Sequence, residues 1–302
     1  MRVVIAGGTG FIGRALVRRL AAGGHHVTVL TRQDPGRASR SLPDAVAVCR
    51  WSPGTGAPLE PVDGADAVVN LAGATIARRW TRAAKRLIVD SRVGATGSLI
   101  QAIRASQAPP RVLVNASAVG YYGPRGDEWV TEDDPPGSDF LATVCRRWEE
   151  AACAAEPLGV RVVLLRTGLV LGRGGALPRL ALPFRLFAGG PLGSGRQWMP
   201  WIHLDDCAAL ISFALQDDRI RGPINVTAPN PVPNREFARA LGRALGRPAA
   251  LPVPAPLLRA ALGEMADMLL TGQRAVPRRA MALGFQFRFA ELEPALGDVL
   301  GR

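Results

Sequence analysis

Apolar positions recur along this chain in two rhythms, short runs and longer stretches of helical spacing. Arg2–Ala6 is a short apolar run that ends in glycines. Phe11–Ala22 follows, with Phe11, Ile12, Ala15, Leu16 and Leu20 on one helical face. Gly23 and Gly24 stop it. Further apolar runs at 27–30, 46–49, 67–71, 111–116 and 161–166 predict strands. Helical spacing returns over 81–105 and 140–156, the second stretch halted by Pro157 and Gly159. Strands interleaved with helices predict an α/β fold, a doubly wound parallel sheet covered on both faces.

Beyond Gly168 the texture changes. Residues 172–200 are rich in Gly, Pro and Arg. Residues 229–256 carry many prolines around a helix at 235–245, and 257–300 is mostly helical in pattern. A helix at 204–215 is expected to return to the main sheet. The expected division is therefore a sheet domain over 1–168 with 204–228. A smaller C-terminal substrate-side domain is expected over 169–203 and 229–302. No internal repeat or low-complexity tract interrupts this scheme.

The turn after the first strand carries the clearest chemistry. Gly7-Gly8-Thr9-Gly10-Phe11-Ile12-Gly13 follows a strand and opens a helix, the context of a dinucleotide-binding Rossmann turn. Gly7 permits a tight turn. Gly10 lets the backbone approach a pyrophosphate, and Gly13 lets helix and strand pack closely. The free N–H groups of the helix start then face an anion. The plainer alternative is a structural glycine turn.

The end of the second strand bears on cofactor choice. An acid there would hold the ribose hydroxyls of NAD. Here Thr31 and Arg32 stand at that point. The planar fork of Arg32 suits a 2′-phosphate, which favours NADP, in practice NADPH. Asp34 is the competing acid, and Arg32 as a solvated loop residue is the plainer alternative.

Composition narrows the classes. The net charge of +12 raises the question of nucleic acid. Yet the basic residues are spread out, all of them arginine except Lys85, and no aromatic-basic interleaving offers a stacking platform. No nucleic-acid partner is expected. Cys49, Cys145, Cys153 and Cys207 lack CxxC spacing, and only three histidines occur, so no metal site is expected. Unpaired cysteines and the absence of a leader or spanning segment lead to the expectation of a cytoplasmic protein with no membrane partner.

With the glycine turn established, four further segments resemble the extended short-chain dehydrogenases/reductases, the group of nucleotide-sugar epimerases and dehydratases. Asn70-Leu71-Ala72-Gly73 ends the fourth strand, where that family lines the adenosine side. The segment from Asn115 through Ala116, Ser117, Tyr121 and Tyr122 to Gly123 resembles its catalytic serine segment. The segment from Arg166 through Leu169 to Gly172 stands where the nicotinamide is contacted, and 201–206 resembles the return to the sheet. NLAGATIARRW, SAVGYYG, WEEAA, RTGLVLG and MPWIHLDD are closer still to an atypical epimerase-like subfamily. That resemblance implies NADP contacts at Thr31, Arg32, Trp51, Ser52, Ala74 and Arg79. It also implies a small-molecule substrate and pairing of two copies through the two long helices. Arg79 could equally be a surface arginine at a helix start.

The family's chemistry uses a serine, a tyrosine and a lysine four residues after the tyrosine. An ordinary tyrosine titrates near ~10 and needs a nearby positive charge to act at neutral pH. This chain has only Tyr121 and Tyr122, and its one lysine lies upstream of both. Phe140 and Val144 stand where the pair is expected. Three readings follow. The protein is an oxidoreductase or epimerase-like enzyme with rearranged groups, using Tyr121 or Tyr122 as donor and Ser117 to orient substrate. Alternatively it binds NADP(H) without turnover, as a sensor or partner-regulated protein. Or it uses another acid among Asp205, His203 and Glu132. Each has a plainer role: Asp205 as a helix cap, His203 in the core, Ser117 satisfying a strand end. His25 and His26 read as surface residues, and Trp198 and Trp201 as pocket or core.

Overall fold

The computed structural model describes residues 1–53, 56 and 59–301. Seven parallel strands form one sheet. They are β1 (Arg2–Ala6), β2 (His26–Thr31), β3 (Ala47–Arg50), β4 (Ala67–Asn70), β5 (Val112–Ala118), β6 (Arg161–Thr167) and β7 (Gly222–Val226). Their order is β7-β6-β5-β4-β1-β2-β3. Strand order reverses between β1 and β4, so this Rossmann-type sheet opens a crevice there at its carboxyl edge.

Continuous apolar runs make the strands because both faces are covered. Every residue of β4 is buried, as is the interior of β6. Helices α1 (Phe11–Ala22), α2 (Arg82–Ala105), α3 (Phe140–Cys153) and α4 (Leu204–Gln216) supply the layers. Val3, Ile5, Leu16, Leu20, Val114, Leu210 and Ile211 form the core on the α1 and α4 side. Val4, Leu30, Leu99, Ile103, Leu113 and Val162 form the core on the α2 side. Thr81 caps α2 by accepting from Ala84 N at 3.2 Å, and Asp139 caps α3 by accepting from Ala142 N at 2.8 Å.

Two elements differ from expectation. β7 holds Gly222 and Pro223, residues that weaken a strand signal. It pairs only with β6, at the sheet edge, where a proline without an N–H is tolerated. The stretch expected as mostly helical near the C-terminus is broken into Ala255–Leu262, Asp267–Leu270, Arg278–Ala282 and Leu292–Leu300. The last of these packs with Leu177–Arg185 and Asn234–Leu245 around Leu171, Phe184, Trp201, Phe237, Leu241 and Leu296, a separate buried cluster.

The start of α1 is fixed by two glycines. Gly7 has φ +81°, a left-handed conformation that other residues adopt at a cost. A side-chain carbon on Gly13 would sit 2.3 Å from Gly7 O and 2.7 Å from Gly8 Cα. Both obstacles are backbone and cannot swing away. Gly13→Ala is therefore expected to destabilise the protein by at least about 1–3 kcal/mol, the usual cost of overpacking. Denaturant unfolding measures this; wild-type stability in the variant would contradict the contact.

Candidate functional site at the carboxyl edge of the sheet

The first turn of α1 presents free donors to the crevice. Gly10 occupies the N-cap position without a side chain to accept from the helix, and the first turn carries no acid. The N–H groups of Phe11, Ile12 and Gly13 lie at the start of the helix, where no intrahelical acceptor exists. Gly10 N donates to Gly7 O at 2.9 Å, which folds the turn back on itself. A side-chain carbon on Gly10 would meet only Gly7 O, at 3.1 Å, so its other sides are open. The Phe11 ring is clasped by Gly172, Gly174 and Gly175, where any side chain would come within 2.8 Å of it.

At the end of β2, Thr31 is buried and its hydroxyl lies 3.3 Å from that of Thr9. The same oxygen accepts from Gln33 N at 3.2 Å. Arg32 is exposed and makes no ion pair among the described residues. Asp34 does not compete with it for the ribose: its carboxylate accepts from Arg37 N at 3.0 Å and caps a one-turn helix, Pro35–Ser39. Trp51 is buried beside this strand end, donating from its backbone to Thr31 O at 2.8 Å. Ser52 follows at the surface.

Across the crevice, β4 ends in a polar knot. Asn70 Nδ2 donates to Asn115 Oδ1 at 2.7 Å and to Thr96 Oγ1 at 2.9 Å, and Trp148 Nε1 also donates to Thr96 Oγ1. These bonds tie β4, β5, α2 and α3 together. The chain leaves them through Leu71, whose N–H donates to Ala6 O at 2.8 Å, and Ala72, whose N–H donates to Asn70 Oδ1 at 3.2 Å. Gly73 is exposed and packs over Arg92. Ala74 is held from both sides, donating to Ser91 Oγ and accepting from Arg92, each at 3.0 Å. Arg79 lies exposed against Gly263. Ala116 is half-buried in β5, and Leu169, on a short strand paired with Trp201–His203, donates to Pro200 O at 2.8 Å.

The serine segment leads into a buried network. Ser117 is 5% exposed and its hydroxyl donates to Glu149 Oε1 at 2.6 Å. Glu149 takes a two-pronged bond from Arg166, at 3.0 and 2.9 Å. Arg166 also donates to the Tyr122 hydroxyl at 3.1 Å, and Tyr122 donates to Asn225 Oδ1 at 2.6 Å. Tyr122 is wholly buried. Burial holds its hydroxyl above the usual tyrosine range, although Arg166 pulls the other way. Burial works against the Arg166 charge, but its bonds to Glu149 and Tyr122 outweigh that and keep it protonated. Tyr121 is half-buried beneath the Arg166 guanidinium, 3.5 Å from its ring centre. Ser117 and Tyr122 are thus members of one network, and both hydroxyls donate inward.

Glu149 and Arg166 were not anticipated as a pair. A readable signal existed in Arg166, a charge inside the apolar run RVVLLRT, since a buried charge demands a partner. The remaining acids are also committed. Glu132 is buried and accepts from the backbone N–H groups of Asn225 and Arg279. His203, not Asp205, caps α4, its Nδ1 accepting from Asp205 N at 3.1 Å. Asp205 is exposed in the first turn, 3.4 Å from Arg288. Trp201 is fully buried core, while Trp198 is half-buried and donates to Asp127 at 2.8 Å. Among the described residues no three His, Cys, Asp or Glu side chains gather as a metal site. None of the described helices is long and apolar enough to cross a membrane.

Two outcomes are expected from this network. Glu149→Leu should destabilise the fold by about 3–5 kcal/mol, because it leaves the Arg166 charge buried and unpaired. A loss below ~1 kcal/mol in denaturant unfolding would contradict the network. Burial raises the Glu132 carboxyl above its usual range, although backbone hydrogen bonds oppose this. A raised folded value means that the native state holds this proton more tightly than the unfolded chain. That contribution is complete below about pH 4.3 and is lost as pH rises through the folded value. Stability of Glu132→Gln relative to wild type should therefore improve with rising pH over that window; a constant difference would contradict it.

Comparison with known proteins agrees with this architecture. Residues 3–227 match the family model described as NAD dependent epimerase/dehydratase family, and residues 253–299 match a domain of unknown function, DUF1731. The chain is 40% identical to epimerase family protein YfhF of Bacillus subtilis, covering 99% of this chain and 98% of that protein. It is 43% identical to epimerase family protein SDR39U1 of Mus musculus, covering 99% and 100%. The crystal structure of human epimerase family protein SDR39U1 (isoform 2) with NADPH superposes with a TM-score of 0.88 at 39% identity, covering 100% of this chain and 99% of that one. With the glycine turn at the crevice and a match over most of its length, this chain belongs to the NAD dependent epimerase/dehydratase family.

Proposed function

We propose that this protein binds NADP(H) across the carboxyl edge of its sheet and acts as an oxidoreductase or epimerase-like enzyme on a small-molecule substrate. The observation that carries the reading is the uncapped, acid-free start of α1 beside the open face of Gly10. Unsatisfied N–H groups and the positive end of the helix dipole there suit a pyrophosphate. Arg32 stands at the end of β2 with no ion pair among the described residues, and its planar fork suits a 2′-phosphate. Asp34, the acid that would have favoured NAD, is occupied as a helix cap. The related human protein crystallised with NADPH supports the same choice.

In this reading Gly7, Gly10, Phe11, Ile12 and Gly13 hold the diphosphate. Thr31, Arg32, Trp51 and Ser52 hold the adenosine end, with Leu71, Ala72, Gly73, Ala74 and Arg79 on the opposite wall. Ala116 and Leu169 flank the nicotinamide, whose chemistry is hydride exchange. Residues 1–168 and 204–228 form the binding unit, and 169–203 with 229–302 form the substrate side. The four unpaired cysteines fit a reducing, cytoplasmic setting. Ser117 and Tyr122 serve as scaffold in this reading, with Tyr121 the more accessible of the two tyrosines. Their commitment also favours a second reading, in which NADP(H) is bound without turnover as a regulatory ligand.

Gly10→Val should abolish NADPH binding in calorimetry while leaving the unfolding transition close to wild type. Retained affinity would remove the loop from the site. Arg32→Ala should weaken NADPH by about tenfold or more, as expected for loss of a charge-assisted hydrogen bond, and leave NADH nearly unchanged. Equal losses would remove the 2′-phosphate role. A screen of carbonyl compounds for NADPH oxidation separates the two readings: turnover of any of them excludes the silent one.

A further inference from the structure

Lys85 is chemically singular in this chain. It is the one lysine among 37 basic residues, in a sequence that uses arginine everywhere else. Its position is equally specific. It lies in the first turn of α2, with its backbone N–H on Thr81 O, and so at the carboxyl edge of the sheet. Parallel α/β sheets take their ligands at that edge. The Lys85 ammonium stands 5.0 Å above the ring centre of Phe140, the first residue of α3. Trp80 meets the same ring edge-on at 5.1 Å. The side chain is only 30% exposed, and a carboxylate from the C-terminal segment, Glu264, closes over it at 2.5 Å with 60% of its own side chain in solvent.

Arg79 packs against Gly263, the residue before Glu264, and forms no ion pair among the described residues. A second cation therefore lies against the residue next to the Lys85–Glu264 pair. The Glu264 carboxylate is the solvent-facing member of the pair, and exposed ion pairs are weakly held. An arginine at position 85 would grip a carboxylate with a two-pronged fork. A lysine ammonium is a compact point charge on a flexible stem and can change partners. The aromatic face of Phe140 stays beneath it whichever anion is bound.

We propose that Lys85 is the anion-binding residue of the substrate side, receiving a carboxylate or phosphate substituent of the substrate in exchange for Glu264. The inference rests on the NADP(H) reading only for what lies next to the bound anion. Glu264 acts as a resting counter-ion, and the segment that carries it moves aside as the ligand enters. The substrate class is a carbonyl or hydroxyl compound with an acidic group.

Because the chain has one lysine, reductive methylation with ¹³C-formaldehyde marks Lys85 and the terminal amine alone, and the terminal signal serves as an internal control. The intact protein, with NADPH binding measured separately by calorimetry, is titrated at constant ionic strength with inorganic phosphate and with lactate. A saturable shift of the Lys85 signal is expected with at least one of them, and which one identifies phosphate or carboxylate as the group taken. Glu264→Gln removes the competing carboxylate and should tighten that anion about two- to fivefold, the range of an exposed ion pair. In NADPH-saturated protein, where the glycine turn and Arg32 are occupied, Lys85→Gln should abolish anion binding in calorimetry, while Lys85→Arg, which keeps the charge, reports on folding. No saturable shift, or a Glu264→Gln variant that binds the anion no better than wild type, overturns the proposal. NADPH binding without an anion response overturns it and leaves the cofactor reading standing. An anion response without NADPH binding does the reverse.

Discussion

The backbone contact between Gly13 and the Gly7–Gly8 turn is the constraint from which the site follows. No side-chain carbon fits between them, since one on Gly13 would lie 2.3 Å from Gly7 O. The start of α1 therefore lies directly on the end of β1. Its unpartnered N–H groups are aimed into the crevice between β1 and β4. Had the helix begun one turn further out, an acceptor side chain could have capped it. The absence of such a cap, at Gly10, leaves the donors for an anion.

A second constraint sits on the other side of the crevice. Arg166 and Glu149 are both buried, and a charge in that position is stable only when fully paired. Ser117, Tyr122 and Asn225 complete the pairing and tie β5, β6, β7 and α3 into one unit. The same bonds turn inward the Ser117 hydroxyl, expected to orient substrate, and the Tyr122 hydroxyl, one of the two expected donors. Rigidity and chemistry thus compete for the same groups here, and geometry favours rigidity. Among the polar groups exposed at this edge are Arg32, Arg79 and the Glu264 carboxylate paired with Lys85.

Most of the sheet was legible because parallel strands are buried on both faces and read as apolar runs. The first six strands fall within two residues of their expected bounds. The glycine turn was legible because its spacing reports backbone contacts directly. Side-chain partners were not. Glu149 is 17 residues from Arg166 and Asn225 is 103 from Tyr122, separations that no periodicity connects. Asp34 and Asp205 show the same limit. An acid beside a helix start can cap it, hold a ribose or face solvent, and only the local turn decides; the cap proved to be Asp34 in one case and His203 in the other. β7 was hidden by Pro223, which an edge strand tolerates and a central one does not.

The most direct test of this account is calorimetric titration of the wild-type protein with NADPH and, separately, with NADH. The account predicts tight, one-to-one binding of NADPH and binding of NADH weaker by about tenfold or more, the contribution of a charge-assisted contact to the 2′-phosphate. Equal affinities would contradict the role of Arg32, and no binding of either would contradict the assignment of the crevice itself.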